Sequence, residues 1–152
     1  MLYFAYGYNM QCEHMRQQCP GSSLVAKVRL RDHRLVFSRW WDAWGGGGVA
    51  DIQPAPGEVV EGVVWEITAA HREALDRFEV YPTSYRRKDV RVETWDGRRL
   101  RAFAYVACPE GSYRPARDYL ACIVAAAEEQ GLSPAYLTFL KGIPTEGSHA
   151  GV

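Results

Sequence analysis

The chain has 152 residues, of which 47% are hydrophobic and 24% are charged, and 18 basic residues balance 18 acidic ones. This length suits one domain with a single core, and the zero net charge disfavours a nucleic-acid-binding protein, which usually carries a basic excess. No apolar run approaches the roughly 20 residues of a membrane-spanning helix, so we expect no membrane partner.

The first residues of the chain resemble a buried strand, without the basic leader and cleavage site of a signal peptide. We therefore expect a cytoplasmic protein with reduced, free cysteines. A metal site is not expected, because the spacings of the N-terminal cysteines and histidines match no paired zinc-ligand pattern. These residues are Cys12, His14, Cys19 and His33.

The N-terminal part of the chain alternates between strand and helix patterns. Residues 2–6 form an apolar and aromatic run that predicts a buried strand, and Gly7-Tyr8-Asn9 follows as a turn. Residues 10–18 favour a short helix that ends before Pro20-Gly21. Residues 24–39 carry alternating apolar patches, which predict two strands or one bent strand.

A loop rich in tryptophan and glycine is predicted over residues 40–48. Its four successive glycines, Gly45–Gly48, do not form a phosphate-binding loop, because no Lys-Ser/Thr follows and residues 49–52 favour a strand over a helix N-terminus. The loop also carries Trp40, Trp41 and Trp44. Two interpretations stay open: the tryptophans pack on the domain, or they form a pocket wall or lid.

The middle of the chain contains a predicted turn, strand and helix. Pro54-Ala55-Pro56-Gly57 predicts a turn, and residues 59–67 a strand in which Gly62 marks a bulge or a close backbone approach. Thr68 is a suitable N-cap for a helix over residues 69–78. In this helix we expect Leu75 and Phe78 to face the core.

A hairpin and two helices complete the chain. Asp96-Gly97 separates strands predicted over residues 85–95 and 98–107 and favours a type I′ turn. The first helix is predicted over residues 115–130, with Pro115 in its first turn and Gly131 at its end. The second covers residues 134–141, with Ser133 as its cap. Together these elements predict one α+β domain over residues 1–152, a mixed, mainly antiparallel sheet or small barrel with helices packed around it, and a short flexible C-terminal tail.

Two segments are candidates for chemistry. After the first strand, Gly7 frees the backbone of the turn, whose N–H groups are suited to bind an anion. After the helix over residues 69–78, Glu79 lies beside apolar Phe78 and Val80, where burial would raise its pKa and make it a base. From the pattern alone, an ordinary turn and a surface Glu paired with an arginine remain open alternatives.

Six segments, taken in chain order, share their residue patterns with one known family. They are Tyr6-Gly7-Tyr8-Asn9, Arg16–Gly21, Gly48–Pro54, Val60–Trp65, Leu75–Tyr85 around Glu79, and the spaced residues Pro115, Tyr119, Ile123, Gly131-Leu132, Tyr136 and Leu140. Together they span nearly the whole chain and resemble the gamma-glutamylcyclotransferase-like family. The resemblance implies an enzyme that releases 5-oxoproline and an amine or amino acid from a small-molecule gamma-glutamyl substrate, without metal or cofactor.

The resemblance also implies the roles of single residues. Glu79 matches the catalytic proton shuttle, and the substrate-binding positions are Tyr6, Gly7, Tyr8, Asn9 and Tyr85. Two alternatives remain, namely a related acyl or lactam chemistry in the same pocket and a binding or interaction domain without turnover. The oligomeric state does not follow from the sequence.

Two residues in or beside the predicted site depart from the family pattern, and a milder departure is Ala125-Ala126 in the long helix, where a Gly-Ala pair is common. Tyr8 replaces a small serine, and Val80 replaces the glycine after the catalytic glutamate, which removes a backbone freedom. The ring of Tyr8 either points to solvent or occupies the pocket. In the second case we expect a leaving amine that is apolar, aromatic or cationic.

Overall fold

The computed structural model describes residues 1–147, and the predicted C-terminal tail lies outside the described residues. The described part contains five strands and four α-helices: β1 (Leu2–Ala5), α1 (Cys12–Gln18), β2 (Ser23–Trp41), β3 (Gly47–Glu66), α2 (Ala69–Phe78), β4 (Tyr85–Thr94), β5 (Arg99–Ala107), α3 (Arg117–Glu129) and α4 (Pro134–Lys141). The predicted α+β class is confirmed. None of the helices in this part is long and apolar enough to cross a membrane.

The strands close into a barrel in the order β1-β3-β2-β4-β5. All neighbouring pairs are antiparallel except β1 and β5, which pair in parallel at Tyr3 and Phe103. The predicted mixed, mainly antiparallel sheet is therefore a closed barrel, in which none of the five described strands is an unpaired edge.

Strands β2 and β3 form one long hairpin that runs from the pair Ser23–Glu66 to the pair Trp41–Gly47. Residues 24–39 thus belong to one strand, bent at register shifts. The turn predicted at residues 54–57 is wrong, because these residues lie within β3. They form an irregularity opposite Asp32, whose carboxylate accepts a hydrogen bond from Gly57 N–H at 2.9 Å. Proline is tolerated at such irregular positions because the interrupted ladder does not require a hydrogen bond from its backbone nitrogen, which carries no proton.

Gly62 marks a close backbone approach, as predicted. A Cβ atom at this position would lie 2.3 Å from the carbonyl oxygen of Ala5 in the neighbouring strand. β1 therefore packs directly against β3 at Ala5, the last residue of β1.

The helices agree with their predicted positions to within two residues. α1 and α3 begin at Cys12 and Arg117, two residues later than predicted. The oxygen of Thr68 accepts a hydrogen bond from His71 N–H, which makes it the N-cap of α2. Leu75 is buried, but the core position predicted for Phe78 is wrong, since this side chain is 41% exposed.

The hairpin between β4 and β5 is confirmed, but its turn is not type I′. Gly97 N–H donates to the Thr94 carbonyl at 3.0 Å, and Gly97 has φ +88°, whereas Asp96 is not among the positive-φ residues. This is the pattern of a three-residue loop with a glycine bulge. Hydrogen bonds from the Thr94 hydroxyl group to Asp96 and from Arg98 N–H to that hydroxyl oxygen stabilise the longer loop.

Candidate active site

A cavity of about 230 Å³ opens where the end of β1, the end of α2 and the β2–β3 hairpin meet α3. All six site residues predicted from the sequence line it: Tyr6, Gly7, Tyr8, Asn9, Glu79 and Tyr85. Residues about 70 positions apart in the chain are thus brought to one place. Their individual roles stay predictions.

The turn after β1 is a short 3₁₀ helix, Tyr8–Met10, that begins at Gly7. Met10 N–H donates to the Gly7 carbonyl at 3.1 Å. The first N–H groups of a helix have no acceptor within it, and within residues 1–147 those of Tyr8 and Asn9 donate to no other protein group. These two N–H groups are therefore available to a ligand.

The side chain of Asn9 is buried and fixes this turn from inside. Its Nδ2 donates to the Tyr3 hydroxyl group at 2.9 Å, and its Oδ1 accepts from Gln18 Nε2 at 2.8 Å. Its carbonyl oxygen accepts from the indole N–H of Trp65 at 3.0 Å. Because its side-chain amide is already bonded, Asn9 offers a ligand its backbone rather than its side chain.

Glu79 is the C-cap residue of α2, and the helix ends in a Schellman motif around it. Val80 N–H donates to the Arg77 carbonyl at 3.2 Å, and Tyr81 N–H donates to the Asp76 carbonyl at 2.8 Å. This motif needs a left-handed residue after the cap, and Val80 adopts it with φ +52°. The valine thus takes the conformation for which a glycine is usual.

The carboxyl group of Glu79 lies in the cavity without a counter-ion. Within the described residues it forms no hydrogen bond and no ion pair with either neighbouring arginine. Burial raises its pKa to about 8, in the direction expected from its sequence neighbours. A carboxyl group with such a pKa exchanges protons readily near neutral pH.

Five tyrosines besides Tyr8 line the cavity, and three of their hydroxyl groups donate to protein acceptors. Tyr6 donates to the carbonyl of Tyr105. Tyr85 donates to the carbonyl of Ala50, and Tyr105 donates to the carboxylate of Asp76, both at 2.6 Å. These three hydroxyl protons are engaged in hydrogen bonds that join neighbouring parts of the cavity wall.

The other two hydroxyl groups, those of Tyr3 and Tyr119, accept hydrogen bonds. Tyr3 accepts from Asn9 Nδ2, and Tyr119 accepts from Ala50 N–H at 3.0 Å. Burial raises the pKa of both tyrosines, and the nearby charge of Glu79 raises it further. Both groups are therefore protonated, and their protons remain available to a ligand beside Glu79.

The mouth of the cavity is aromatic. The ring of Tyr8 stacks on His14 with centroids 3.8 Å apart. Tyr8 and Trp44 form an edge-to-face pair with centroids 6.0 Å apart. His14 also forms an edge-to-face pair with Phe78, with ring centroids 5.8 Å apart. Of the two positions left open for Tyr8, the ring thus takes the one in the cavity wall.

Each of the two interpretations of the tryptophan-rich segment holds for some of its tryptophans. Trp41 and Trp44 line the cavity, whereas Trp40 packs on Tyr113 with centroids 5.6 Å apart. The predicted loop is shorter than expected, because β2 continues to Trp41 and β3 begins at Gly47. A Cβ atom at Gly47 would lie 2.3 Å from Ala116 N, so this glycine permits close packing against the start of α3.

Several residues of the cavity were not assigned to it from the sequence: Tyr3, His14, Phe78, Tyr105 and Tyr119. They come from five different elements or their ends, and only the closed barrel brings them together. The described residues contain no group of three or more His, Cys, Asp or Glu side chains arranged to hold a metal ion. All four cysteines are free thiols.

Residues 3–121 match the family described as gamma-glutamyl cyclotransferase, AIG2-like. The human gamma-glutamylcyclotransferase is 33% identical over 150 residues, with 93% of this chain and 78% of the human protein covered. The mouse gamma-glutamylcyclotransferase is 32% identical over 147 residues, with the same coverage. A solved structure of a gamma-glutamyl cyclotransferase superposes with a TM-score of 0.91 at 31% identity, over 99% of this chain and 92% of that one. The extent of these matches and the shared fold place the chain in the gamma-glutamyl cyclotransferase, AIG2-like family.

Proposed function

We propose that this protein is a gamma-glutamylcyclotransferase, which converts a gamma-glutamyl amide into 5-oxoproline and a free amine or amino acid. The observation that carries the proposal is the carboxyl group of Glu79, which has no ionic or hydrogen-bond partner within residues 1–147 and lines the same cavity as the turn after β1. Membership of the family supports the same activity.

The reaction is an intramolecular acyl transfer. The α-amine of the gamma-glutamyl group attacks the gamma-carbonyl carbon of the same residue, a C–N bond of the five-membered lactam forms, and the C–N bond to the leaving amine breaks. Because both reacting groups belong to one substrate residue, the enzyme has to fold that residue and move protons. The chemistry uses only groups of the substrate and Glu79, so we propose that it needs no metal or cofactor.

Glu79 acts as the proton shuttle in this scheme. It first takes a proton from the α-ammonium group, which frees the lone pair that attacks. Of the three ammonium protons, one stays on the lactam nitrogen, and the other two pass to the leaving nitrogen, which departs as an ammonium group. A pKa of about 8 suits a group that both accepts and returns protons.

The turn after β1 binds the charged end of the substrate. The N–H groups of Tyr8 and Asn9 are free to donate to the α-carboxylate, and Gly7 leaves room for it, since no side chain projects from this position. Tyr6 and Tyr85 form the wall behind the turn through their bonds to backbone carbonyls. The free protons of Tyr3 and Tyr119 are placed to stabilise developing negative charge.

The test is incubation of the purified protein with gamma-glutamyl amines, gamma-glutamyl dipeptides and glutathione, with 5-oxoproline measured by mass spectrometry. We expect release of 5-oxoproline from at least one class. Hydrolysis to free glutamate, or no product from any of them, would contradict the proposal. The cytoplasmic location and the absence of a nucleic-acid partner stay predictions.

A further inference from the structure

The outer rim of the cavity is formed by aromatic side chains, and we call these five residues the mouth: Tyr8, His14, Trp41, Trp44 and Phe78. Trp41, Trp44 and Phe78 are each more than 40% exposed, whereas Tyr3, Tyr6 and Tyr85 on the inner wall are almost completely buried. A substrate that places its glutamyl group beside Glu79 therefore extends its leaving group across the mouth.

The size of the cavity supports this division. Pockets that enclose drug-sized ligands measure about 300–1,000 Å³, whereas this cavity measures about 230 Å³. It encloses a group of the size of glutamate and leaves the rest of a larger substrate outside. The leaving group is then recognised by the side chains of the mouth.

The lining of the cavity contains no lysine or arginine among the described residues. His14 does not supply a positive charge either. Its Nε2 lies 3.0 Å from Gln18 Nε2, an amide nitrogen with protons to donate, and this contact favours a ring nitrogen that accepts. Burial also lowers the pKa of His14, which favours the neutral imidazole. Among the described residues that line the cavity, none thus supplies a cation to bind a carboxylate on the leaving group.

A positive charge on the leaving group has no carboxylate partner among the side chains of the mouth; Glu13, whose charge acts on Tyr8, is exposed to solvent and does not line the cavity. The mouth contains no carboxylate, and the one acidic residue of the cavity lining, Glu79, is engaged with the α-ammonium group in the proposed reaction. The rings of Tyr8 and His14 are stacked at 3.8 Å and nearly parallel, which covers one face of each. What the mouth offers is apolar surface for a flat or flexible hydrocarbon group.

We propose that the mouth is a subsite for an uncharged apolar or aromatic leaving group, so that the preferred substrates are gamma-glutamyl amides of apolar amines rather than gamma-glutamyl amino acids. This inference rests on the proposed function and adds the class of the leaving group. A carboxylate on the leaving group would lose hydration against aromatic rings without gaining an ion pair, which is the physical basis of the preference.

Two matched substrate pairs test the proposal. Gamma-glutamyl-2-phenylethylamide and gamma-glutamylphenylalanine differ only by the carboxylate of the leaving group. Gamma-glutamylhexylamide and gamma-glutamyl-5-aminopentylamide differ by a terminal methyl and a terminal ammonium group. We expect kcat/KM, measured as 5-oxoproline release, to be at least about tenfold higher for the uncharged member of each pair. Equal values, or preference for either charged member, would overturn the subsite.

A charge-insertion variant provides a second test. Trp44→Arg places a cation at the mouth on an exposed side chain. We therefore expect the kcat/KM for gamma-glutamylphenylalanine, divided by that for gamma-glutamyl-2-phenylethylamide, to rise by about tenfold. Trp40→Arg is the matched control, because Trp40 is similarly exposed but packs on Tyr113 outside the cavity. Its ratio should equal that of the wild type, and an equal shift in both variants would contradict the proposal.

The outcomes separate the two proposals. If no substrate yields 5-oxoproline, the cyclotransferase function fails and the subsite falls with it. If all four substrates are turned over with similar kcat/KM, the function stands and only the subsite is wrong.

Discussion

The protonation of Glu79 is governed by burial, because its carboxyl group has no partner charge within residues 1–147. In the proposed reaction Glu79 acts in its base form, which predominates only above the pKa of about 8. We therefore expect kcat/KM to rise with pH up to about 8 and then level, until another group titrates. Initial rates at low substrate concentration check this, and a plateau that begins near pH 5 would show that Glu79 is not the base.

The same residue links stability to pH. Its pKa is higher in the folded state, about 8, than the ordinary 4.5, so the folded protein binds more protons between these values. The contribution of Glu79 to the free energy of unfolding is therefore lost as pH rises from about 4.5 to about 8. Glu79→Gln does not titrate. We expect its Tm to exceed that of the wild type increasingly over this interval, and a constant Tm difference would contradict the raised pKa.

Val80 adopts a conformation that disfavours its side chain. A left-handed backbone costs an L residue about 1–2 kcal/mol, and branching at Cβ adds strain. The side chain is 54% exposed, so its removal loses little burial. We expect Val80→Gly to raise the free energy of unfolding by up to about 1 kcal/mol after the entropy cost of glycine is subtracted. Urea unfolding measures this.

The matched control for Val80→Gly is Val59→Gly. Val59 is also exposed, at 39%, but lies in β3 and is not among the residues with positive φ. Glycine within a strand is destabilising by roughly 0.5–1 kcal/mol. The two substitutions should thus change stability in opposite directions, and a loss of stability in both would mean that Val80 is not strained.

At the scale of elements, the turn after β1 is the part that binds the charged end of the substrate in our proposal. A Cβ atom at Gly7 would lie 3.7 Å from the Cβ of Ala50, which is an ordinary contact. We therefore expect Gly7→Val to fold with a Tm close to that of the wild type. Its two methyl groups would intrude on the cavity and lower kcat/KM by at least about tenfold. Unchanged kinetics would move the binding site away from this turn.

Elements with local signals were predictable from the sequence, and those fixed by distant contacts were not. Thr68 and Ser133 mark the starts of α2 and α4 because a cap acts within one turn of its helix. The irregularity in β3 depends on Asp32, a residue on the partner strand, so Pro54–Gly57 resembled a turn. Phe78 has a helical spacing typical of a core residue, but the last turn of α2 faces the cavity mouth.

At the scale of the whole molecule, the barrel brings the turn after β1 and the end of α2 to one cavity. The family resemblance identified Glu79 and the turn from sequence motifs alone. Tyr3 and Tyr119 were not predictable as free proton donors, because this property follows from which hydroxyl groups accept bonds from Asn9 and Ala50. Such a distinction depends on side-chain positions and not on residue type.

The proposed reaction depends most directly on Glu79 as the proton shuttle. Glu79→Gln keeps the size of the side chain and removes its ability to exchange protons. The decisive measurement is the rate of 5-oxoproline release by this variant and by the wild type, from the best gamma-glutamyl substrate and with folding verified by circular dichroism. We predict a folded variant whose kcat is about 10²–10⁴-fold lower. A folded variant with a rate close to that of the wild type would contradict the proposed mechanism.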